Sequence, residues 1–189
     1  MKLVCSLVVL ALALPAGAAA QAATEYRVLA TSKTSTMQKE MTAAAAAGFR
    51  FVSVMGGETS FGGKEVATLM QKHEGDAGRY EYKLLATTKT STMQQELQDA
   101  ADAGFEFVGQ TVFESLFGGR EVAVILERDK QAGSAVMYEY KLIATKRTTT
   151  LQKELNENGM AGYQALAMTI GETAVGGGEV VVITRRRVN

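Results

Sequence analysis

Cysteine is nearly absent from this chain: Cys5 is the only one, and it lies within residues 1–20. It sits too early, and too far from the small residues at positions 18–20, to become a lipid-anchored first residue. A domain built from the remainder has no disulfides to rely on, so its stability has to come from burial. Histidine is equally scarce. His73 is alone, which leaves a nucleophilic triad without a recurring base and denies zinc its usual Cys and His sets. Charge of one sign is not in excess, since 20 Lys and Arg balance 20 Asp and Glu. No global field therefore favours nucleic acid or an anionic membrane. The one basic cluster, Arg185 to Arg187, reads as a solvated strand end at least as well as a binding patch, because Lys72 and Arg128 close the matching stretches upstream.

Long apolar runs are also missing after the first residues. Lys2, an apolar stretch from Leu3 to Leu14, Pro15 and the small run Ala18 to Ala20 follow the order of a secretory signal peptide. The stretch holds 12 residues, short of the roughly 20 that a bilayer span requires. Cleavage is expected near Ala20, which makes residues 1–20 a signal peptide and sends residues 21–189 to the periplasm or the medium, with no stable membrane insertion afterwards.

What the chain does have is repetition. Glu25 to Lys72, Glu81 to Arg128 and Glu139 to Arg185 align without a gap, at offsets of 56 and 58 residues, and a repeated pattern is a repeated supersecondary unit. Each unit opens with Glu-Tyr and a basic residue, then apolar residues: Tyr26, Val28 and Leu29; Tyr82, Leu84 and Leu85; Tyr140, Leu142 and Ile143. These read as strands. Ser35 to Gln38, Ser91 to Gln94 and Thr149 to Gln152 fit the capping box and are expected to start helices. Met37, Met41, Ala44 and Ala45, like Met93, Leu97, Ala100 and Ala101, then make one apolar stripe at helical spacing. Gly48, Gly104 and Gly162 stop the helices. Asn158 and Gly159 replace alanines in the third, which predicts fraying by a turn.

Second strands follow at Phe49 to Val54, Phe105 to Val112 and Tyr163 to Ile170; after paired glycines at 62–63, 118–119 and 176–177, third strands run over Val66 to Met70, Val122 to Leu126 and Val180 to Ile183. The last are apolar at consecutive positions, so both sheet faces are apolar there. One helix covers only one face. The fold class is therefore α+β: three tandem β-α-β-β repeats in one domain over residues 21–189. Packing with approximate threefold symmetry is expected, helices outside and bare sheet faces buried against one another inside. The linkers His73 to Arg79 and Asp129 to Met137 are short enough for close neighbours.

Between Glu139 and Gln164, the run Glu-Tyr-Lys, then Leu-Gln-Lys-Glu-Leu-Asn, then Gly-Tyr-Gln resembles a family of short bacterial domains of unknown function. That family pairs a Tyr-Lys strand with a leucine-rich helix and a Gly-Trp-Glu turn into the next strand. Phe49, Phe105 and Tyr163 stand here where its tryptophan would be. The resemblance implies a strand-helix-strand-strand fold and brings no activity with it.

Candidate sites are few. Lys33 and Thr34, Lys89 and Thr90, and Arg147 and Thr148 set a cation and hydroxyls at the helix N-termini, where free backbone donors favour phosphate, sulfate or a carboxylate. Glutamates recur at 40, 96 and 154, at 58, 114 and 172, and at 65, 121 and 179, but a converging ring for a hard cation competes with plain solvated charge. The nine methionines fill the core rather than bind copper, since Leu151 replaces Met37 and Met93. Phe61, Phe117 and Val175 are apolar hairpin tips that suit either an interaction surface or the core. These residues point to a non-catalytic repeat protein that acts by binding or assembly, with no catalytic residue, metal or cofactor, and with an unknown protein or a small anion as partner. Two alternatives stand beside it: a small-anion binding module, and a hydrolase or isomerase using carboxylates alone.

Overall fold

The computed structural model describes residues 23–59, 63–87, 90–114, 120–133, 136–172 and 178–188. The expected leader, Lys89 and the hairpin tips Phe61, Phe117 and Val175 lie outside them.

Each unit is strand, helix, strand, strand. The first comprises β1 (Tyr26–Thr31), α1 (Thr34–Ala46), β2 (Phe49–Thr59) and β3 (Gly63–Lys72). The second comprises β4 (Tyr80–Thr87), α2 (Thr90–Asp102), β5 (Glu106–Glu114) and β6 (Arg120–Asp129). The third comprises β7 (Met137–Thr145), α3 (Thr148–Met160), β8 (Gln164–Glu172) and β9 (Gly178–Val188). Every sheet is antiparallel with the last strand in the middle, in the orders β1-β3-β2, β4-β6-β5 and β7-β9-β8. The second and third strands are longer than the apolar runs suggest, because the hairpin ladder carries on through polar residues such as Glu58 opposite Lys64. Each second strand also carries a bulge at the same place, between Phe51 and Ser53, Phe107 and Gly109, and Ala165 and Ala167. A bulge breaks the two-residue alternation and turns the rest of the strand over.

The helices start one residue before the predicted capping boxes. Lys33 and Arg147 are the N-caps, in extended conformation and without a side-chain cap bond; the serine or threonine of the box is already inside the first turn, and the glutamine is used elsewhere. Gly48, Gly104 and Gly162 do end the helices, with φ of 89°, 81° and 85°. Behind two of them the amides of Phe105 and Tyr163 donate to the carbonyls of Ala100 and Asn158, which closes orphan acceptors of the last turn. The third helix does not fray. It has 13 residues like the others, and Asn158 is buried where the alanine would be.

The expected ring is not what the described contacts form. Unit 1 packs on unit 2 and unit 2 on unit 3, with nothing comparable from unit 3 back to unit 1. Nor are the helices outside: α1 makes its most extensive contacts with β4, and α2 with β7, so each lies between its own sheet and the next. The premise about bare faces holds for the middle sheet, where Val122 to Leu126 are all buried. Val122, Val124 and Leu126 face α2, while Ala123 and Ile125 join Met37, Met41 and Phe49 of unit 1. A bare face is thus covered by the preceding unit's helix and second strand, an arrangement that repeats by translation and needs no closure. The stack leaves unequal cores: two large clusters centred on α1 and α2, and a small one of Ile143, Leu151 and Val182 under α3. Among the described residues no helix is long and apolar enough to cross a membrane.

Candidate functional site

The three turns singled out for anions are not equivalent. In the first, the Thr31 hydroxyl accepts the Lys33 amide at 3.2 Å, and Thr145 does the same for Arg147; Lys33, Arg147 and Thr148 are exposed. In the second, the Thr90 hydroxyl donates to Glu179 Oε1 at 3.3 Å. The protein therefore supplies its own carboxylate beside the start of α2. Each turn belongs to a different layer of the stack.

Among the described residues the repeated glutamates do not converge. Glu179 goes to Thr90, Glu154 lines a shallow groove with Glu157, Asn158 and Lys141, and Glu96 has one buried oxygen with no protein partner. The side chains of Glu58, Glu114 and Glu172 lie outside the described residues. Among the described residues no group of three or more His, Cys, Asp or Glu is arranged to hold a metal. His73 serves through its backbone, its amide donating to the Gly48 carbonyl at 2.9 Å. The basic residues at the strand ends are paired: Lys72 with Glu25, Arg128 with Glu81 and Arg186 with Glu139. The same bond ties the first strand to the last in every unit.

The built features are the two junctions between units. At the first, the Tyr82 hydroxyl accepts the Phe51 amide at 2.8 Å and donates to Glu127 Oε2 at 2.7 Å. Glu127, only 7% exposed, also receives Arg50 through Nη2 at 2.8 Å and Nε at 3.0 Å. The Arg50 guanidinium lies 4.3 Å from the centre of the Tyr80 ring, in cation–π range. Burial, with the Glu127 charge beside it, pushes the Tyr82 hydroxyl far above its ordinary value, and the Glu127 hydrogen bond raises Arg50. At the second junction, Tyr140 accepts the Phe107 amide at 2.9 Å, and burial raises its pKa too. Arg185 meets Glu106 at 3.4 Å and covers the Tyr138 ring at 4.1 Å.

Glutamines close the exposed strand edges. β4 and β7 are edge strands, whose outward amides would otherwise be open to any passing strand. Gln38 Oε1 accepts the Leu84 amide at 2.9 Å. Gln94 accepts from Leu142 and donates to the Tyr140 carbonyl, both at 2.8 Å, and Gln98 brackets the Tyr140 amide and the Tyr138 carbonyl. Chemically, these clusters hold the Tyr82 and Tyr140 hydroxyls and the Glu127 carboxylate in hydrogen bonds within the junctions. The glutamine and tyrosine recur in all three units at 38, 94 and 152 and at 26, 82 and 140. The capping box offered a local use for the glutamine and hid the distant one; the signal that does reveal the junction is the charge exchange, Arg50 with Glu127 becoming Glu106 with Arg185.

Among the described residues the two ends of the stack have no neighbouring unit. Tyr26 is 57% exposed and Val28 68%, against 2% for Tyr82 and for Tyr140 at the matching position. Met55 beside them is exposed, as are Met168 and Ile170 on the last sheet. No family model matches the chain, and no curated protein or solved structure matches it either.

Proposed function

We propose that this is a non-catalytic repeat protein of the periplasm or the extracellular medium that acts by binding or assembly through the ends of its stack. One observation carries this reading: the outer face of β1 and β2 keeps Tyr26, Val28 and Met55 in water, although the equivalent tyrosines are buried at both internal junctions. Exposed large apolar side chains gathered on one face mark a docking surface. The export assignment rests on the leader pattern in residues 1–20.

Hydroxyl-radical footprinting of the purified chain, with and without an extract of the extracytoplasmic compartment, tests it. Protection of Tyr26 and Met55 that Val28→Arg removes is the expected outcome. Turnover of a phosphoester, ester or glycoside that one point change at a repeat position abolishes would overturn it.

A second reading, a small-anion module, is favoured by the uncapped starts of α1 and α3, where Lys33 and Arg147 stand exposed with no acidic residue in the first turn. Titration calorimetry with phosphate and sulfate decides that point. Heat lost in Lys33→Ala or Arg147→Ala supports the module, and no heat beyond weak millimolar binding removes it.

A further inference from the structure

From the residue pattern of the two internal junctions we infer that a second copy of this chain is the occupant of the open faces, docking head to tail: α3, β8 and β9 of one molecule cover the outer face of the first sheet, β1, β3 and β2, of the next. The inference deepens the assembly reading and rests on it. Each internal junction is a heterologous contact: the helix of one unit meets the first strand of the following unit, α1 on β4 and α2 on β7, and its second and last strands meet the following unit's second strand, β2 and β3 on β5 and then β5 and β6 on β8. Among the described residues no unit packs on the third unit's helix and second strand, and none on the first unit's outer face. The free surfaces are therefore the two halves of one junction.

The residues needed for that junction are in place. Val28 stands opposite Leu69 as Leu84 stands opposite Ile125 and Leu142 opposite Ile183, so its amide points to the open edge, where Gln38 and Gln94 serve its counterparts. Gln152 is the matching glutamine of α3; it is exposed and donates along its own helix, to Asn156 Oδ1 at 3.1 Å. Tyr26 is the matching tyrosine, and the Ala165 amide takes the place of Phe51 and Phe107. The charge positions decide compatibility. They hold Arg50 and Glu127 at the first junction and Glu106 and Arg185 at the second, and they hold Gln164 and Gln71 at the open ends. Two amides hydrogen-bond to each other without an unpaired charge. Any other pairing of faces would bury a lone charge against an amide or set like charges together, which is costly. The bulge-flanking side chains are also compatible: the Phe51 ring fills the space left by Gly109, and at the open ends Ala165 meets Ser53, small against small.

A heterologous contact grows into a ring or a filament instead of stopping at a dimer. Inside the chain the linkers supply an effective concentration of millimolar order, so the intermolecular contact shows only as the protein is concentrated. Sedimentation equilibrium of the purified full chain from micromolar to about millimolar concentration tests it. The expected result is a weight-average mass rising above 20.2 kDa through dimer and higher species. A head variant, Val28→Arg, and a tail variant, Gln152→Arg, are each expected to stay monomeric, while their equimolar mixture forms a dimer and stops, since one intact head and one intact tail remain. The double variant Gln71→Glu/Gln164→Arg is expected to tighten association several-fold, and the double variant Gln71→Arg/Gln164→Arg to weaken it. Circular dichroism melting shows whether each variant is folded. Should Val28→Arg unfold the chain, the Gln71 and Gln164 pairs carry the test alone. A wild-type mass fixed at 20.2 kDa throughout overturns the inference, including when Tyr26 is protected by closure within one chain. So does a head variant that still dimerises by itself, which means a two-fold contact. If the chain stays monomeric yet an extract protects Tyr26, self-docking falls while the binding reading survives.

Discussion

The two internal junctions use the same tyrosine and the same glutamine but opposite charges. Unit 1 offers Arg50 to Glu127, whereas unit 2 offers Glu106 to Arg185. The shared parts fix the geometry: a tyrosine hydroxyl on the amide at the second strand's bulge, and a glutamine on the edge strand's amide. The exchanged parts fix the order. Placing unit 3 after unit 1 would set Arg185 against Arg50, and a second copy of unit 2 after unit 2 would set Glu127 against Glu106. Similar units can thus be stacked in one sequence only, with charge deciding between neighbours that shape treats alike.

The junctions differ from the open end in how firmly they hold a helix, and the largest effect is expected there. Leu97 in α2 is fully buried between two sheets, whereas its match on α3, Leu155, is only partly covered. Leu97→Ala should cost about 3 kcal/mol and Leu155→Ala about 1 kcal/mol or less, read as urea midpoints; equal losses would mean that α3 is as enclosed as α2. Next comes the charge order. Glu127→Arg should cost about 2 kcal/mol, at the low end for a broken pair because Arg50 is half exposed, and adding Arg50→Glu should regain most of it by copying the second junction. A double variant no more stable than the single one would break the comparison. Gly109→Ala follows. Its methyl would meet the tip of the Phe51 ring at 2.7 Å, and the overpacking should cost about 1 kcal/mol. The equivalent Ala167 already carries that methyl, so Ala167→Gly should produce no gain. Absence of any change in Gly109→Ala would show the ring free to move.

The smallest effect is on pH. Arg79 holds the Asp129 carboxyl below its ordinary value of 3.8, and at unit 3 Tyr163 and then Arg186 lower Glu139 from 4.5. A lowered native value means that the unfolded chain binds the proton first, so the stabilisation is present above the unfolded value and is lost as pH falls through the native one. Both pairs lie near the surface, where solvent screens them. Stability should decline modestly below pH 4.5 and further below 3.8, and Asp129→Asn should flatten the lower part, as seen in thermal melts between the two values. A flat wild-type profile would remove the ion pairs from the account.

Much of the unit is legible in the sequence because it is written in short-range terms. The strand aromatics, the stripe of Met37, Met41, Ala44 and Ala45, and the stops at Gly48, Gly104 and Gly162 each act within a few residues of themselves. The bulges were not legible. Nothing at Val52, Val108 or Leu166 differs locally from an ordinary strand residue; a tyrosine hydroxyl from the next unit lands on the bulge at Phe51 and Phe107, yet the third strand bulges at Ala165 without one. Glutamine misled for a related reason. Its spacing from Ser35 satisfies a local rule, yet the edge amide of Leu84 is the partner it takes, since the first-turn donors remain open to water while an edge amide under a packed helix does not.

By itself, the sequence determined what one unit is and that there are three, because local periodicity and chain-reversing glycines need no information from afar. It also determined that both faces of the middle strands must be covered. What covers them was decided only in the tertiary structure. Burial is indifferent to the identity of the covering surface, so a ring of sheets and a stack with helices between them satisfy the same apolar pattern. The choice falls to directional bonds, in which Tyr82, Glu127, Arg50 and Gln38 find partners tens of residues away in the chain.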